Sequence, residues 1–480
     1  MPERRMPAKK EMRNEAALYK IGLLPLFMEL LNKAIPDMRP RLDSFVETIA
    51  EEFGRRGIQV FRAPLSGLRK DIRGALKMIE ENKPDALVTL HLTYSPSLEA
   101  ISELVRTRLP IIILDTTPVS NFSAIRDPLE IMFNHGIHGV QDLCNLLNRN
   151  GRRFAIEAGH WKDSDVLDRI AGRLRQARFV TALSRTRVGS IGDRFPGMGD
   201  FRIEPEVLRS AVGARIVICG PERLKGYTPE PGDPELEEEI AADRHRFNTE
   251  GLDPEVYQES LRIGLSVRRW LNAESLDAFT MNPLAFQGSS HPEALPFLEA
   301  SKAMARGIGY AGEGDVLTAA LNGAILQSYR DATFIEMFCP DWENGRIFLS
   351  HVAEMNHSLT KNKPRLVDKQ YLITGCRSTV AVGILREGKA TLVNLAPTGG
   401  HPRDGGPLRM ILVSGEMVEV PGEQIEKTIY GWFKPDLALE SLLAEYSTWG
   451  GTHHSVLVYG DVTADLAEAG RLMSWDVRNL

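Results

Sequence analysis

Four short segments of this chain carry residue types able to hold a divalent cation and to move a proton. Gly309-Tyr310-Ala311-Gly312-Glu313-Gly314-Asp315-Val316 sets two carboxylates two residues apart on a glycine-rich turn, ahead of an apolar stretch that reads as a helix. Glu336 falls in Thr333-Phe334-Ile335-Glu336, His351 in Leu349-Ser350-His351, and the pair His453-His454 in Gly450-Gly451-Thr452-His453-His454-Ser455. Carboxylate oxygens and imidazole nitrogens together suit a hard to borderline divalent ion, with acids left to carry protons. Taken singly, each segment also has a structural explanation. Asp315 fits a helix N-cap with Glu313 solvated. Glu336 inside Phe334-Ile335-Glu336-Met337-Phe338 is either strand alternation or a buried acid that needs a partner. A lone His351 fits a hydrogen-bonded structural histidine. The combination points to an enzyme.

Elements of three textures have to position these residues. In the first third, short apolar runs alternate with helical periodicity. Strand candidates are Lys20–Leu24, Ile58–Phe61, Ala86–Leu90 and Ile111–Leu114. Between them, Leu42, Phe45, Val46, Ile49, Ala50 and Phe53 share one helix face, and helices are expected over Leu68–Glu81 and Leu98–Thr107. This beat predicts a parallel sheet covered by helices on both faces, whose working loops follow the strands: around Pro25, His91–Ser95 and Asp115–Pro118. The pattern resumes with Arg153–Ala158, a helix over Val166–Leu174, and strands at Arg187–Ile191 and Ala214–Cys219, which suggests a second α/β unit. The Pro- and Glu-rich stretch Pro221–Glu239 reads as a solvated loop entering an acidic helix. After a helix from Asp315 to about Tyr329, β-rich runs at Ile347–Ala353, Thr379–Leu385, Ala390–Leu395, Arg409–Ser414 and Thr428–Trp432 favour an antiparallel sheet or barrel. A helix at Leu437–Tyr446 and a strand at Val456–Tyr459 follow, so the His453-His454 pair sits in a turn entering a strand.

Composition bounds the reading. A chain of 480 residues exceeds a single core and implies two to four domains at about 100 to 200 residues each. The expected division is 1–177, 178–328 and 329–480. A formal charge of −6 argues against a nucleic-acid partner, which would require clustered Lys and Arg. The four cysteines, Cys144, Cys219, Cys339 and Cys376, form no zinc-ribbon spacing and fit a reducing cytosol. The N-terminal stretch Met1–Arg13 is basic and polar, and Ile21–Met28 is too short to span a bilayer. A cytoplasmic protein without a membrane partner is expected.

The segments Gly309–Leu321, Thr333–Glu336, Leu349–His351 and Gly450–Ser455 resemble, in order and separation, the metal-site segments of the L-arabinose isomerase and L-fucose isomerase-like superfamily, and are most similar to the arabinose isomerase pattern. Gly139, within Gly136-Ile137-His138-Gly139-Val140-Gln141-Asp142, falls where this family has a His-Gly motif lining the active site. The resemblance implies two Rossmann-like α/β domains followed by a β-barrel. It also implies a homo-oligomer, hexamer or tetramer, with active sites near subunit interfaces, and interconversion of an aldose and a ketose with Mn²⁺ or another divalent ion such as Mg²⁺ or Co²⁺. Carried over by motif, Glu313, Glu336, His351 and His454 would be the metal ligands, and Glu313 and Glu336 would relay the proton. His138, Gln141, His453 and Asp315 would meet the sugar.

The chemistry agrees with the residue types. Moving a carbonyl between C1 and C2 of an open-chain sugar requires taking a proton from carbon, stabilising an enediol, and returning the proton to the neighbouring carbon; carboxylates serve as base and acid. The sugar itself is open. Where arabinose isomerases carry a Gln- and His-containing substrate motif, this chain reads Gly22-Leu23-Leu24-Pro25-Leu26-Phe27-Met28-Glu29. A neutral sugar is one reading. Arg187, Arg194 and Arg202 allow a second, an acidic or sulfonated sugar such as sulfoquinovose, since guanidinium forks bind such anions. A sugar-binding or sensing protein without turnover is a third.

Overall fold

In the first third, the alternation of strand and helix gives a five-stranded sheet in the order β2-β1-β3-β4-β5, with every pairing parallel. Its strands are β1 (Tyr19–Leu26), β2 (Ile58–Arg62), β3 (Ala86–His91), β4 (Ile111–Asp115) and β5 (Ala155–Ala158). The computed structural model describes residues 18–35, 37–287, 294–399, 406–422 and 428–480; the basic stretch Met1–Arg13 lies outside them. Helix Met38–Arg55 turns Met38, Leu42, Val46, Ile49 and Phe53 to the interior, the face expected from its period. Strand β5, within Arg153–Ala158, pairs with β4 and completes the first sheet, inside the expected first division 1–177. Periodicity alone cannot tell the last strand of one sheet from the first of the next.

The chain divides into two compact units, Met1–Leu174 and Arg175–Leu480. The second contains another parallel sheet, in the order β7-β6-β8-β9, formed by β6 (Arg187–Ile191), β7 (Arg215–Cys219), β8 (Ala278–Met281) and β9 (Gly309–Gly312). Next come β10 (Ala332–Asp341), β11 (Arg346–Ser350), β12 (Arg365–Gln370), β13 (Arg377–Ile384), β14 (Gly388–Pro397), β15 (Leu408–Val418), β16 (Ile429–Pro435), β17 (His454–Tyr459) and β18 (Asp476–Asn479). The run β16-β11-β10-β17-β14-β15 closes on itself through the antiparallel pairing of β15 with β16, a six-stranded barrel. Closure leaves those strands without a free edge. The architecture is two Rossmann-like parallel sheets followed by a β-barrel.

Within the second unit, sheet and barrel share one apolar cluster that includes Phe279, Tyr310, Ala311, Phe334, Ala353, Val393 and Val456. Between them runs helix Val316–Ser328, buried along nearly its whole length. Pro221–Glu239 is not a purely solvated loop. It contains a short helix, Pro221–Leu224, and opens helix Pro234–Arg246, which is capped by Asp233 Oδ1 accepting from the Glu235 N–H at 3.0 Å. Glu239 is buried there, because Arg268 and Lys302 face it.

Candidate metal centre

Two structural features of the second unit converge at one point: the carboxyl end of β9 and one row of the barrel. Residues that follow parallel strands at this end are the ones a ligand meets. Glu313 leaves β9 with a left-handed backbone, φ 63°, a conformation costly for a residue with a Cβ. Its carbonyl is held by the Phe195 N–H at 2.8 Å. In the barrel, Glu336 pairs with Ser350 on one side and His454 on the other, so three neighbouring strands deliver Glu336, His454 and, one residue beyond Ser350, His351. Gly312 makes room for them. A Cβ there would stand 2.9 Å from His351 Cε1.

The reactive atoms face one another. His454 Nε2 lies 3.1 Å from Glu336 Oε1 and 3.5 Å from Glu313 Oε2, and His351 Nε2 lies 3.7 Å from Glu336 Oε1. His453 Nε2 lies 3.7 Å from both Glu313 Oε2 and Glu336 Oε1. Glu313, Glu336, His453 and His454 each offer one ligand atom within 4.8 Å of the others. His351 Nε2, His454 Nε2 and Glu313 Oε2 are buried without a hydrogen-bond partner. Buried polar atoms are normally satisfied, and two nitrogens and an oxygen converging beside a second carboxylate fit a divalent cation.

Each imidazole is oriented by a carboxylate through its other nitrogen. His351 Nδ1 lies 2.7 Å from Glu354 Oε2, His454 Nδ1 2.9 Å from Asp315 Oδ2, and His453 Nδ1 2.6 Å from Asp200 Oδ2. A carboxylate only accepts, so each Nδ1–H donates and the Nε2 lone pair is turned inward, the usual arrangement behind a metal-binding histidine. Phe201 stacks on His454 at 4.9 Å, and Phe334 meets His351 and His454 edge-on at 4.8 and 4.9 Å.

Burial alone would raise the Glu313 carboxyl, but the imidazoles of His453 and His454 pull it down to about 2. Burial likewise opposes the charged form of His454, yet Asp315, Glu313 and Glu336 outweigh it and hold the imidazole well above its ordinary value. His351 is raised in the same way by Glu354.

Other expected site residues take different places. Asp315 is fully buried and its oxygens are engaged: Oδ1 accepts from the Leu317 and Thr318 N–H groups at 3.0 and 2.9 Å, and Oδ2 faces His454. It is the N-cap of Val316–Ser328 and the support of His454, with no free oxygen for a sugar. His453 is half-exposed at the rim. His138 and Gln141 lie in the first unit, exposed on helix Gly136–Arg149. That helix starts tight against His91: a Cβ on Gly139 would stand 2.8 Å from His91 Nδ1. Arg187 is the first residue of β6, at the amino end of the parallel strands and so at the opposite end of the sheet from Glu313, and it lies beside Glu274 at 3.9 Å, so it cannot serve an anion at this centre. Arg194 and Arg202 share Glu204, each at 3.8 Å. Glu354 and Asp200 were not evident from sequence. The spacing His351-x-x-Glu354 was the one local signal for Glu354; Asp200 is 253 residues from His453 and had none.

Residues 237–328 match the family model of the L-arabinose isomerase central domain, and 331–475 that of the L-arabinose isomerase C-terminal domain. Over these two segments the chain is similar to the central and C-terminal domains of the L-arabinose isomerase family. Proteins named L-arabinose isomerase from Phocaeicola vulgatus and Bacteroides thetaiotaomicron are each 24% identical to it over 443 residues, 87% of this chain and 84% of theirs. One of the same name from Lactiplantibacillus plantarum is 24% identical over 406 residues, 81% of this chain and 83% of its own. Similarity and cluster together make this chain an enzyme, a metal-dependent aldose–ketose isomerase.

Proposed function

We propose that Glu313, Glu336, His351 and His454 hold the divalent ion, that Glu313 and Glu336 also relay the proton, and that the substrate is a neutral open-chain sugar. The observation that carries this reading is the set of three buried, unpartnered atoms, His351 Nε2, His454 Nε2 and Glu313 Oε2, gathered beside Glu336. His351 is preferred to His453 as a ligand because its Nε2 is buried, whereas His453 is half-exposed and free to meet the sugar. The bound ion, Mn²⁺ first and Mg²⁺ or Co²⁺ as substitutes, would supply Lewis-acid polarisation of the C1 and C2 oxygens.

The residues of the chain perform the proton transfers. One carboxylate accepts the proton from C2 of the aldose and returns it to C1, and the other carries the hydroxyl proton between O2 and O1, so the enediol forms and collapses with no net gain or loss of protons. Phe201 and Phe334 pack against the imidazoles and β9 is buried beside them, an apolar lining for this transfer. Relatives named for L-arabinose favour a pentose or related neutral sugar, while the stretch Gly22–Glu29 leaves the choice among neutral sugars to experiment.

Three wider features belong to the same proposal. A division at 177/178 and 328/329 is supported, at its second boundary, by matched segments that end at 328 and begin at 331. A cytoplasmic location is supported by cysteines that are all free; no described helix is long and apolar enough to cross a membrane. A homo-oligomer, hexamer or tetramer, is supported by large apolar side chains on two exposed hairpins, Trp342 between β10 and β11 at 58% and Leu372 between β12 and β13 at 92% exposure, which a partner subunit would cover.

Glu336→Gln is expected to lower kcat by about 10²- to 10⁴-fold with an unchanged circular dichroism spectrum. Bound metal, measured by elemental analysis, is expected to fall in His351→Ala and to persist in His453→Ala. Near-native turnover in the first variant would remove the proton relay. The reverse order of metal loss would exchange the two histidines.

A further inference from the structure

Outside the metal centre the described residues include a small void lined by His91 and Ser95 in the first unit and a buried ion-pair network around Lys302 in the second. A different feature lies directly behind the metal centre. Tyr310, the second residue of β9, is fully buried, and its hydroxyl donates to Glu354 Oε1 at 2.7 Å. The other oxygen of Glu354 accepts from His351 Nδ1 at 2.7 Å and from the Ala353 N–H at 2.9 Å. Glu354 itself is 1% exposed. A buried carboxylate is expensive unless its oxygens are satisfied and a counter-charge is near, and the one ionisable base this carboxylate bonds is the His351 imidazole.

We propose that Tyr310 and Glu354 are positioning residues for the metal: the phenol fixes the carboxylate, and the carboxylate fixes the His351 ring and its tautomer with Nε2 turned toward Glu336. This rests on His351 being a ligand. The geometry also joins the two halves of the site. Tyr310 stands on the strand whose end carries Glu313, and Glu354 follows the barrel strand that delivers His351, so the hydrogen bond between them sets one ligand relative to the other. The carbonyl of Tyr310 is itself held by Asn322 Nδ2 at 2.9 Å, and its ring packs against Phe279 and Phe334 at 4.9 and 5.9 Å. These contacts hold the phenol against Glu354.

Metal affinity of the metal-free full-length protein, measured by titration with Mn²⁺ alone, separates this role from packing. Glu354→Gln keeps the shape and removes the charge; its dissociation constant is expected to rise about 10- to 100-fold. Tyr310→Phe removes one hydrogen bond, and its constant is expected to rise about three- to tenfold. Neither should change the circular dichroism spectrum of the metal-free protein. His351→Ala is measured alongside. If it binds Mn²⁺ poorly while Glu354→Gln binds within twofold of the parent, the positioning role is wrong and the ligand reading stands. If His351→Ala itself binds within twofold of the parent, the ligand reading fails and takes this inference with it. Should Glu354→Gln not fold, Tyr310→Phe decides, and an affinity within twofold of the parent overturns the proposal.

Discussion

His351 occupies the space that a side chain at position 312 would fill, and on its far side Glu354 grips Nδ1. Held from both directions, the ring has one place for its Nε2, and the same is true of His454 between Phe201 and Asp315. A cation must displace protons from these rings before it binds. Burial disfavours the imidazolium, but the surrounding carboxylates outweigh it in both histidines, so their protons persist above the ordinary histidine range. Mn²⁺ affinity therefore rises as pH increases from about 6 to about 8, by up to about tenfold per unit for each proton released. Calorimetry in two buffers of different ionisation enthalpy should detect that release, and a pH-independent affinity with none would contradict the assignment. The segments that carry Glu313, Glu336, His351 and His454 stood out in the sequence because carboxylates and imidazoles together suit a divalent cation, and the fold brings these side chains to one place. Glu354 and Asp200 did not stand out, since an acid acting through another residue looks like any surface acid until its partner is placed.

Helix Val316–Ser328 connects the sheet end to the barrel, and Asp315 acts at its start in two ways, as cap and as the partner of His454. The two roles are separable. Asparagine caps about as well as aspartate, so Asp315→Asn should leave thermal stability nearly unchanged while weakening metal binding. Asp315→Ala should do both, with about 1 kcal/mol of stability lost; urea unfolding of the metal-free protein and Mn²⁺ titration measure each part. Equal metal affinity in Asp315→Asn and the parent would reduce Asp315 to a cap. The expected helix and its N-terminal acid were legible from the apolar run after Gly314. β9 was not: with glycine at both ends, only Tyr310 and Ala311 show strand character, and Gly309–Gly312 reads as a turn. β8 and β12 were missed for similar reasons, being short, or half-exposed and polar.

At the scale of the molecule, the second unit depends on a buried charge network distinct from the metal centre. Lys302, 2% exposed, bridges Glu239 at 2.8 Å and Asp243 at 2.6 Å, and Arg268 joins Glu239 to Glu299. These residues link helices Pro234–Arg246, Pro254–Ala273 and Phe297–Ala305. Lys302→Met would leave Asp243 buried without that cation, at a cost of about 3–5 kcal/mol. Denaturant unfolding should show this loss with Mn²⁺ affinity unchanged, and a fall in affinity matching the loss of stability would mean the network and the site are coupled. The alternating pattern made the two α/β sheets and the barrel legible as classes, but not the order of strands within each sheet, because that depends on which neighbour a strand pairs with.

The claim of metal-dependent aldose–ketose isomerisation is tested most directly by ketose formation across a panel of aldoses, L-arabinose included, with protein stripped by a chelator and then reloaded. No ketose is expected from the stripped protein, with recovery on adding Mn²⁺. Undiminished turnover after complete metal removal, or none with any aldose at full Mn²⁺ occupancy, would contradict it.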